Sequence, residues 1–318
     1  LDNGALELPD EGTIAVFRPR AGFDLPAIAR DRVQIVQGFK PDYDAFAAQG
    51  YTVAVSSASG YAAALICLPR SKIGARALIA QARCETDGLI IIDGQKTDGV
   101  ESFLRDIRKR ATVGEVTSKA HGKLFAFTGG DFSDWRGENK TLEGGFVTAP
   151  GVFSADAIDA GSAALVAALP KKLPKRIADL GAGWGYLSKA ILANEKVAEL
   201  HLVEAEHAAL DCARKNITDP RAQFHWADAT QHKPDAPFDA VIMNPPFHNS
   251  RAAEPQIGRA FIAAAANMLK PNGQLWFVAN RHLPYEAEAA AHFINVEEIA
   301  GNKSFKVIAA SKPRRKRG

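Results

Sequence analysis

Short apolar runs alternate with amphipathic stretches along the whole chain. In the amino half, residues 13–17, 32–36, 52–56, 62–68 and 88–93 read as strands. Residues 71–83 and 100–110 carry apolar side chains at spacings of three and four and read as helices. In the carboxyl half the strand-like runs are 175–179, 199–203, 223–226, 238–243, 274–279, 293–299 and 305–309, with a helix over 186–194. Strands that alternate with helices predict an α/β fold with a mostly parallel sheet in each half. No long helix fits between the last two runs, so a closing antiparallel hairpin is expected there. Residues 128–149 are rich in Gly, Asp, Ser and Glu and show no period, which marks a joint. The expected organisation is a domain over 1–130, a linker over 131–150, a second domain over 151–311 and a basic tail over 312–318.

Composition narrows the class. A chain of 318 residues is comfortable as two domains. Hydrophobic residues at 47% and charged residues at 24% are ordinary for a globular protein. No apolar run reaches the roughly 18 residues that a membrane span needs, and Leu1–Glu11 is polar and acidic rather than signal-like. The three cysteines, Cys67, Cys84 and Cys212, lie far apart, and neither they nor His201, His225 and His232 show metal-ligand spacing. A reduced, cytoplasmic setting, no membrane partner and no metal are expected. The net charge of +3 does not make the whole molecule a strong nucleic-acid binder, but Lys312, Arg314, Arg315, Lys316 and Arg317 crowd the last seven residues and suit phosphate contact.

Candidate chemistry gathers in the carboxyl half. The run 238–243 is stopped by Asn244-Pro245-Pro246-Phe247-His248. Two prolines stiffen the turn and hold an amide at the carboxyl end of a strand. The arrangement suits a planar group that bears an NH2: the Asn244 side-chain oxygen accepts from one N–H, the Pro245 carbonyl accepts from another, and Phe247 stacks on the ring. Upstream, the run 175–179 leads into Asp179-Leu180-Gly181-Ala182-Gly183-Trp184-Gly185. Glycines at a strand-to-helix turn let backbone N–H groups approach a ligand. The spacing GxGxG is not the dinucleotide pattern, and no Lys-Ser/Thr follows to make a triphosphate loop. The next two runs end at Glu204, placed for ribose hydroxyls, and at Asp228, whose carboxylate can accept from an adenine amino group. These groups all map to the carboxyl edge of one sheet, where open α/β sheets bind ligands.

The order DLGAGWG, VEAE, WADAT, NPPF resembles class I S-adenosylmethionine-dependent methyltransferases. Asn244–His248 with Ala279-Asn280-Arg281-His282-Leu283-Pro284-Tyr285 is similar to the bacterial ribosomal RNA guanine-N2 methyltransferases, notably those of the small subunit. Gly151-Val152-Phe153-Ser154 and Asp159-Ala160-Gly161-Ser162 resemble that family's lead-in to its catalytic domain, and Asp93–Gly99 and Ser118–Lys123 its companion domain. The resemblance implies two tandem Rossmann-like methyltransferase domains, the second a seven-stranded mostly parallel sheet with a closing antiparallel hairpin. It implies that the first copy has lost its cofactor site, in keeping with the turn Gln37–Pro41, which holds one glycine and a proline.

It further implies S-adenosylmethionine as cofactor, held by Asp179, Gly181, Gly183, Gly185, Glu204, Asp228, Ala229 and Asn244. Asn244, Pro245 and Phe247 would be catalytic. Ribosomal RNA or the small subunit would be the partner, and the enzyme a monomer. Phe153 and Ser154 either cover the site or touch the substrate, and Arg281 and His282 either touch RNA or belong to a solvated loop. Adenine N6, a protein glutamine, and a role as an inactive RNA-binding assembly factor remain open beside guanine N2.

Overall fold

The computed structural model describes residues 6–25, 28–246 and 255–315. Its chain divides into two compact units, residues 1–139 with 149–151, and residues 140–148 with 152–318.

The first unit carries strands β1 (Ile14–Phe17), β2 (Val33–Val36), β3 (Thr52–Ala54), β4 (Ala63–Cys67), β5 (Leu89–Gln95), β6 (Thr112–Lys119) and β7 (Gly122–Thr128). Among the described residues they form one sheet in the order β3-β2-β1-β4-β5-β7-β6. The first five are parallel, and β7 runs antiparallel to both β5 and β6. Helices α1 (Lys40–Ala48) and α2 (Lys72–Glu85) connect parallel strands, and α3 (Val100–Ile107) leads from β5 to the antiparallel pair. Helix α2 starts where the Ser71 hydroxyl accepts the Gly74 N–H at 3.1 Å.

The second unit opens with a two-stranded hairpin, β8 (Lys140–Thr141) and β9 (Val147–Thr148), and helix α4 (Ala160–Ala168). There follow β10 (Arg176–Leu180), α5 (Tyr186–Leu192), β11 (Glu199–Glu204), α6 (His207–Asn216), β12 (Ala222–Trp226) and β13 (Phe238–Met243). The chain ends through α7 (Pro255–Met268), β14 (Leu269–Asn280), α8 (Tyr285–His292), β15 (Phe293–Gly301) and β16 (Phe305–Pro313). The sheet order is β12-β11-β10-β13-β14-β16-β15, strand for strand the order of the first unit. Strands β14, β16 and β15 are antiparallel, so the expected closing hairpin is present.

The central strands are buried on both faces, which is why they read as continuous apolar runs. Ala178, Leu180, Val241 and Met243 pack beneath α7 and α8 with Phe261, Ile262 and Tyr285. Ile177, Ala240 and Ile242 face α4, α5 and α6 with Leu165, Leu187, Ile191 and Leu210. The strand order reverses between β10 and β13, and the crevice at that switch point lies at their carboxyl ends.

Some features were not legible in the pattern. The β6–β7 hairpin turns on Ala120 and His121, both at positive φ (49° and 62°), while the adjacent Gly122 already belongs to β7. The stretch read as a joint is structured: Phe132 and Trp135 are buried in the first unit's core, and β8–β9 belongs to the second unit. The basic tail begins inside the fold. Strand β16 runs to Pro313, Arg314 donates to the carbonyls of Ala290 and Phe293, and Arg315 donates to that of Leu269. Lys316 and Arg317 lie outside the described residues. No helix among the described residues is long and apolar enough to cross a membrane.

Candidate active site

Strand β10 delivers its last polar residue, Asp179, into the core with no exposed surface. One carboxylate oxygen accepts the Ser188 hydroxyl from α5 at 2.7 Å, and the other is buried without a partner. Burial, reinforced by the neighbouring Glu204 charge, pushes the Asp179 carboxyl up to about 7. An unpaired buried carboxylate oxygen is costly in a resting protein and is a ready acceptor for a cationic ligand.

The loop that follows is shaped by backbone freedom. Gly181 and Gly183 sit at φ 73° and 56°, and at Gly183 a Cβ would point into open space. Gly185, at φ 92°, is placed differently. It precedes α5 and faces α6, where a Cβ would meet Ile217 at 2.8 Å and Ala213 at 3.4 Å. Glu204, at the end of β11, braces the loop. Its carboxylate accepts the Gly183 N–H at 2.8 Å and the Glu206 N–H at 2.7 Å. Although part of the residue is exposed, this carboxylate is enclosed, and burial raises its pKa.

Asp228 stands at the end of β12 with one oxygen accepting both the N–H and the hydroxyl of Thr230, at 2.8 and 2.7 Å. Ala229 is buried in the core beneath it.

Strand β13 delivers Asn244. Its amide nitrogen donates to Asp159 Oδ2 at 2.9 Å and to Ser162 Oγ at 2.8 Å, while its Oδ1 is buried without a partner. Pro245 is buried beside it. Phe247 and His248 lie outside the described residues.

A cavity of about 40 Å³ brings Asn244 together with Gly181, Gly183, Asp159 and Ser162, and Phe153, Ser154 and Trp184 also line it. Asp179, Glu204, Gly185, Asp228 and Ala229 are not among its walls; Glu204 holds the loop at Gly183, and Asp179 is tied to Ser188 of α5. Phe153 exposes 63% of its surface, while its carbonyl accepts the Trp184 indole N–H at 3.0 Å. Ser154 holds the turn at φ 50°.

Several contributors were invisible as chemistry in the sequence. Asn216 pins the Trp184 carbonyl at 2.8 Å and both backbone groups of Val147. Asp159 and Ser162 read only as a family word, although a helix-capping Asp is a recognisable local signal. Arg281 is exposed, and its guanidinium donates to the carbonyls of Asn302 and Phe305 and pairs with Glu298 at 2.8 Å. The three histidines do converge, because β11 and β12 are neighbours. His201 and His225 share a 2.9 Å hydrogen bond, and the His225 and His232 rings are 5.0 Å apart. Burial, with the neighbouring histidines, pushes His225 down to about 4. No cluster with metal-holding geometry occurs among the described residues.

The first unit supplies an internal contrast. Strand register pairs Phe17 with Val36 and Ile66, as Leu180 pairs with Val203 and Met243. The counterpart of the glycine loop is therefore Arg18-Pro19-Arg20, after the central strand β1, and not the turn Gln37–Pro41 after β2. Arg18 keeps the positive φ of Gly181 (57° against 73°) and the same hydrogen bond, 2.9 Å to the Val36 carbonyl against 2.8 Å from Gly181 to Val203. Gln37 stands where Glu204 does, but it donates to the Pro19 carbonyl at 2.7 Å. Partly buried Cys67 holds the place of Asn244, its thiol pushed up by desolvation.

Residues 143–309 match the family described as Methyltransferase small domain. The chain belongs to that family. Among relatives of this methyltransferase small domain, the "Ribosomal RNA large subunit methyltransferase G" of Ectopseudomonas mendocina is 36% identical over 51% of this chain and 44% of its own length. The chain thus spans about half the length of the curated relatives of that name. The "Ribosomal RNA small subunit methyltransferase C" of a Shewanella species is 28% identical over 78% of this chain and 77% of its own length. The solved 16S rRNA N2 methyltransferase RsmC of T. thermophilus, in complex with AdoMet and guanosine, covers 96% of this chain and 90% of its own at TM-score 0.80 and 23% identity. That likeness shows a shared fold across both units, each built on the methyltransferase sheet order.

Proposed function

We propose that this chain transfers a methyl group from S-adenosylmethionine to the exocyclic N2 amine of a guanine in small-subunit ribosomal RNA. The observation that carries the reading is the unpartnered Asn244 Oδ1 beside the glycine loop. A buried acceptor at a strand end, next to a backbone built for close approach, suits an N–H donor presented by a substrate. The cofactor fits the residues present. Gly183 faces open space, Gly181 turns the loop at positive φ, Asp179 keeps an unpartnered carboxylate oxygen behind the cavity, and Glu204 and Asp228 stand at the ends of the next two strands. When bound, it supplies an electrophilic methyl group.

The protein's part is positioning. Asn244 Oδ1 and the Pro245 carbonyl accept the two N–H groups of the amine and hold its lone pair in one direction, an orientation effect. The same acceptors stabilise the positive charge that grows on nitrogen. No nucleophile from the protein is required. The exposed Phe153 ring lining the cavity offers a face on which a base stacks.

The relatives that cover both units support a small-subunit target, because they carry the small-subunit name. The higher identity of the large-subunit relatives, confined to about half of this chain, favours a large-subunit guanine as the second reading. Labelled S-adenosylmethionine, offered with each unmodified ribosomal subunit and its naked RNA, decides between them. N2-methylguanosine found by nucleoside mass spectrometry in small-subunit RNA is the expected product. Label in large-subunit RNA would move the assignment, and label in neither would end it.

The first unit is proposed to bind no cofactor. At the position of Ala182 it has Pro19, which lacks an N–H, and a cationic Arg20 follows in place of Gly183. Calorimetric titration of the full chain is expected to give one S-adenosylmethionine per chain. A stoichiometry of two would refute this.

A further inference from the structure

We infer that Asp159 and Ser162 are positioning residues that lock the Asn244 amide with its oxygen toward the substrate. The inference rests on the proposed methyl transfer for its kinetic consequence, though not for its geometry. Both residues belong to the Asp159-Ala160-Gly161-Ser162 segment, which begins α4 and lies 82 to 85 residues before Asn244.

The geometry leaves one orientation open. Asp159 caps α4: its Oδ2 accepts the Ser162 N–H at 2.7 Å. The same oxygen accepts the Asn244 amide at 2.9 Å, and Ser162 Oγ accepts from that amide at 2.8 Å. An asparagine amide has two N–H donors, and both are consumed here. A flipped amide would set its oxygen against a carboxylate, which offers only acceptors, and would leave the NH2 group without partners. Ser162 can donate to an oxygen in either orientation, but the like polarity at Asp159 opposes the flip, and Oδ1 is turned to the opposite side. There it is buried and has no protein partner.

Close packing keeps the clamp in register. A Cβ on Gly161 would come within 3.0 Å of Asp159 Oδ2 and 3.3 Å of the Phe305 ring, so a larger residue would push the capping carboxylate aside. Two acceptors drawing on the amide nitrogen also polarise the group and strengthen Oδ1 as an acceptor. Asparagine alone at the end of β13 would place the right atoms. The capping motif of α4 decides which of them meets the substrate.

Asp159→Asn tests the lock with little change to the fold, since Asn caps helices about as well as Asp. It can present either an oxygen or an NH2 to Asn244 and so no longer enforces one orientation. The expected result is a fall in kcat of about 10–100-fold, the scale set by misplacing a reacting group. KM for RNA and the S-adenosylmethionine Kd should stay within about twofold. Ser162→Ala, which removes one of the two acceptors, should lower kcat less and in the same pattern.

A second readout is independent of turnover. The Asn244 side-chain amide protons, assigned by their loss in Asn244→Ala, should exchange slowly with solvent in the parent protein and faster in both variants. Unchanged kcat in both variants would overturn the inference. So would parent amide protons that exchange like those of an exposed asparagine, or an Asp159→Asn protein that loses cofactor affinity in step with kcat. If the parent moves no methyl group at all, the functional proposal fails, and the exchange rates alone decide the lock.

Discussion

Asn244→Ala is expected to abolish most turnover while leaving the cofactor site standing. The side chain lies at the end of a strand whose core residues are fully buried, and its removal touches no element of the sheet. The loss is therefore confined to one acceptor for the amine and to the two bonds that hold it. Removing a single preorganised group that meets developing charge costs about 10²–10³-fold in kcat. The S-adenosylmethionine Kd should shift by less than about tenfold, because Gly181, Gly183, Asp179 and Glu204 remain. Single-turnover methylation and equilibrium cofactor binding, measured on one preparation, check both halves. Full turnover in Asn244→Ala would remove the observation on which the proposed function rests and would place the positioning of the amine on other groups. Loss of cofactor binding without any loss of single-turnover rate at saturation would make Asn244 a cofactor ligand only. Asn244→Asp sharpens the test. It keeps an acceptor in place but sets a second carboxylate against Asp159, so like-charge repulsion should drive the side chain out of the clamp.

Much of this site could be read before any coordinates, for a physical reason. Residues that must sit at the end of a buried parallel strand announce themselves by what surrounds them. Apolar runs bracketed by glycines or by Pro-Pro located Gly181, Gly183 and Asn244, and strand 238–243 came out residue for residue. Contacts between distant parts of the chain were not legible. The partners of Asn244 lie 82 and 85 residues away, and nothing in the local pattern of α4 couples its cap to β13. The counterpart loop in the first unit was missed for a related reason. Its positive φ survives at Arg18, a residue that gives no sign of the left-handed region, whereas Gly38 drew attention to the wrong turn. The β6–β7 turn hid in the same way behind Ala120 and His121. The fold imposes the left-handed conformation at these positions without a glycine to reveal it.

The second large effect is a gain. Asp179→Asn should make the protein more stable at pH 8 and leave it about unchanged near pH 4. The wild-type carboxyl rises from its ordinary 3.8 to about 7 because burial disfavours the charge and Glu204 repels it. A raised folded-state value means that folding favours the protonated form. The stability contributed by that protonation is full below about 4 and is lost as pH rises through about 7. A shift of this size corresponds to roughly 4 kcal/mol at most, and Asn, which cannot ionise, escapes the loss. The raised value of Glu204 works in the same direction. The lowered values of His225 and His232 work in the opposite one, destabilising as pH falls below about 6.5. Those groups are common to both proteins, so the difference between variant and parent isolates Asp179. Chemical denaturation at pH 5 and pH 8 measures it, and a difference that does not grow with pH would show that Asp179 is not held protonated by the fold. The stabilised variant should bind S-adenosylmethionine at least tenfold more weakly, since it lacks the charge that would pair with the cofactor's ammonium group. Weaker binding in a more stable variant would mark Asp179 as a carboxylate held against the interest of the fold for what it binds.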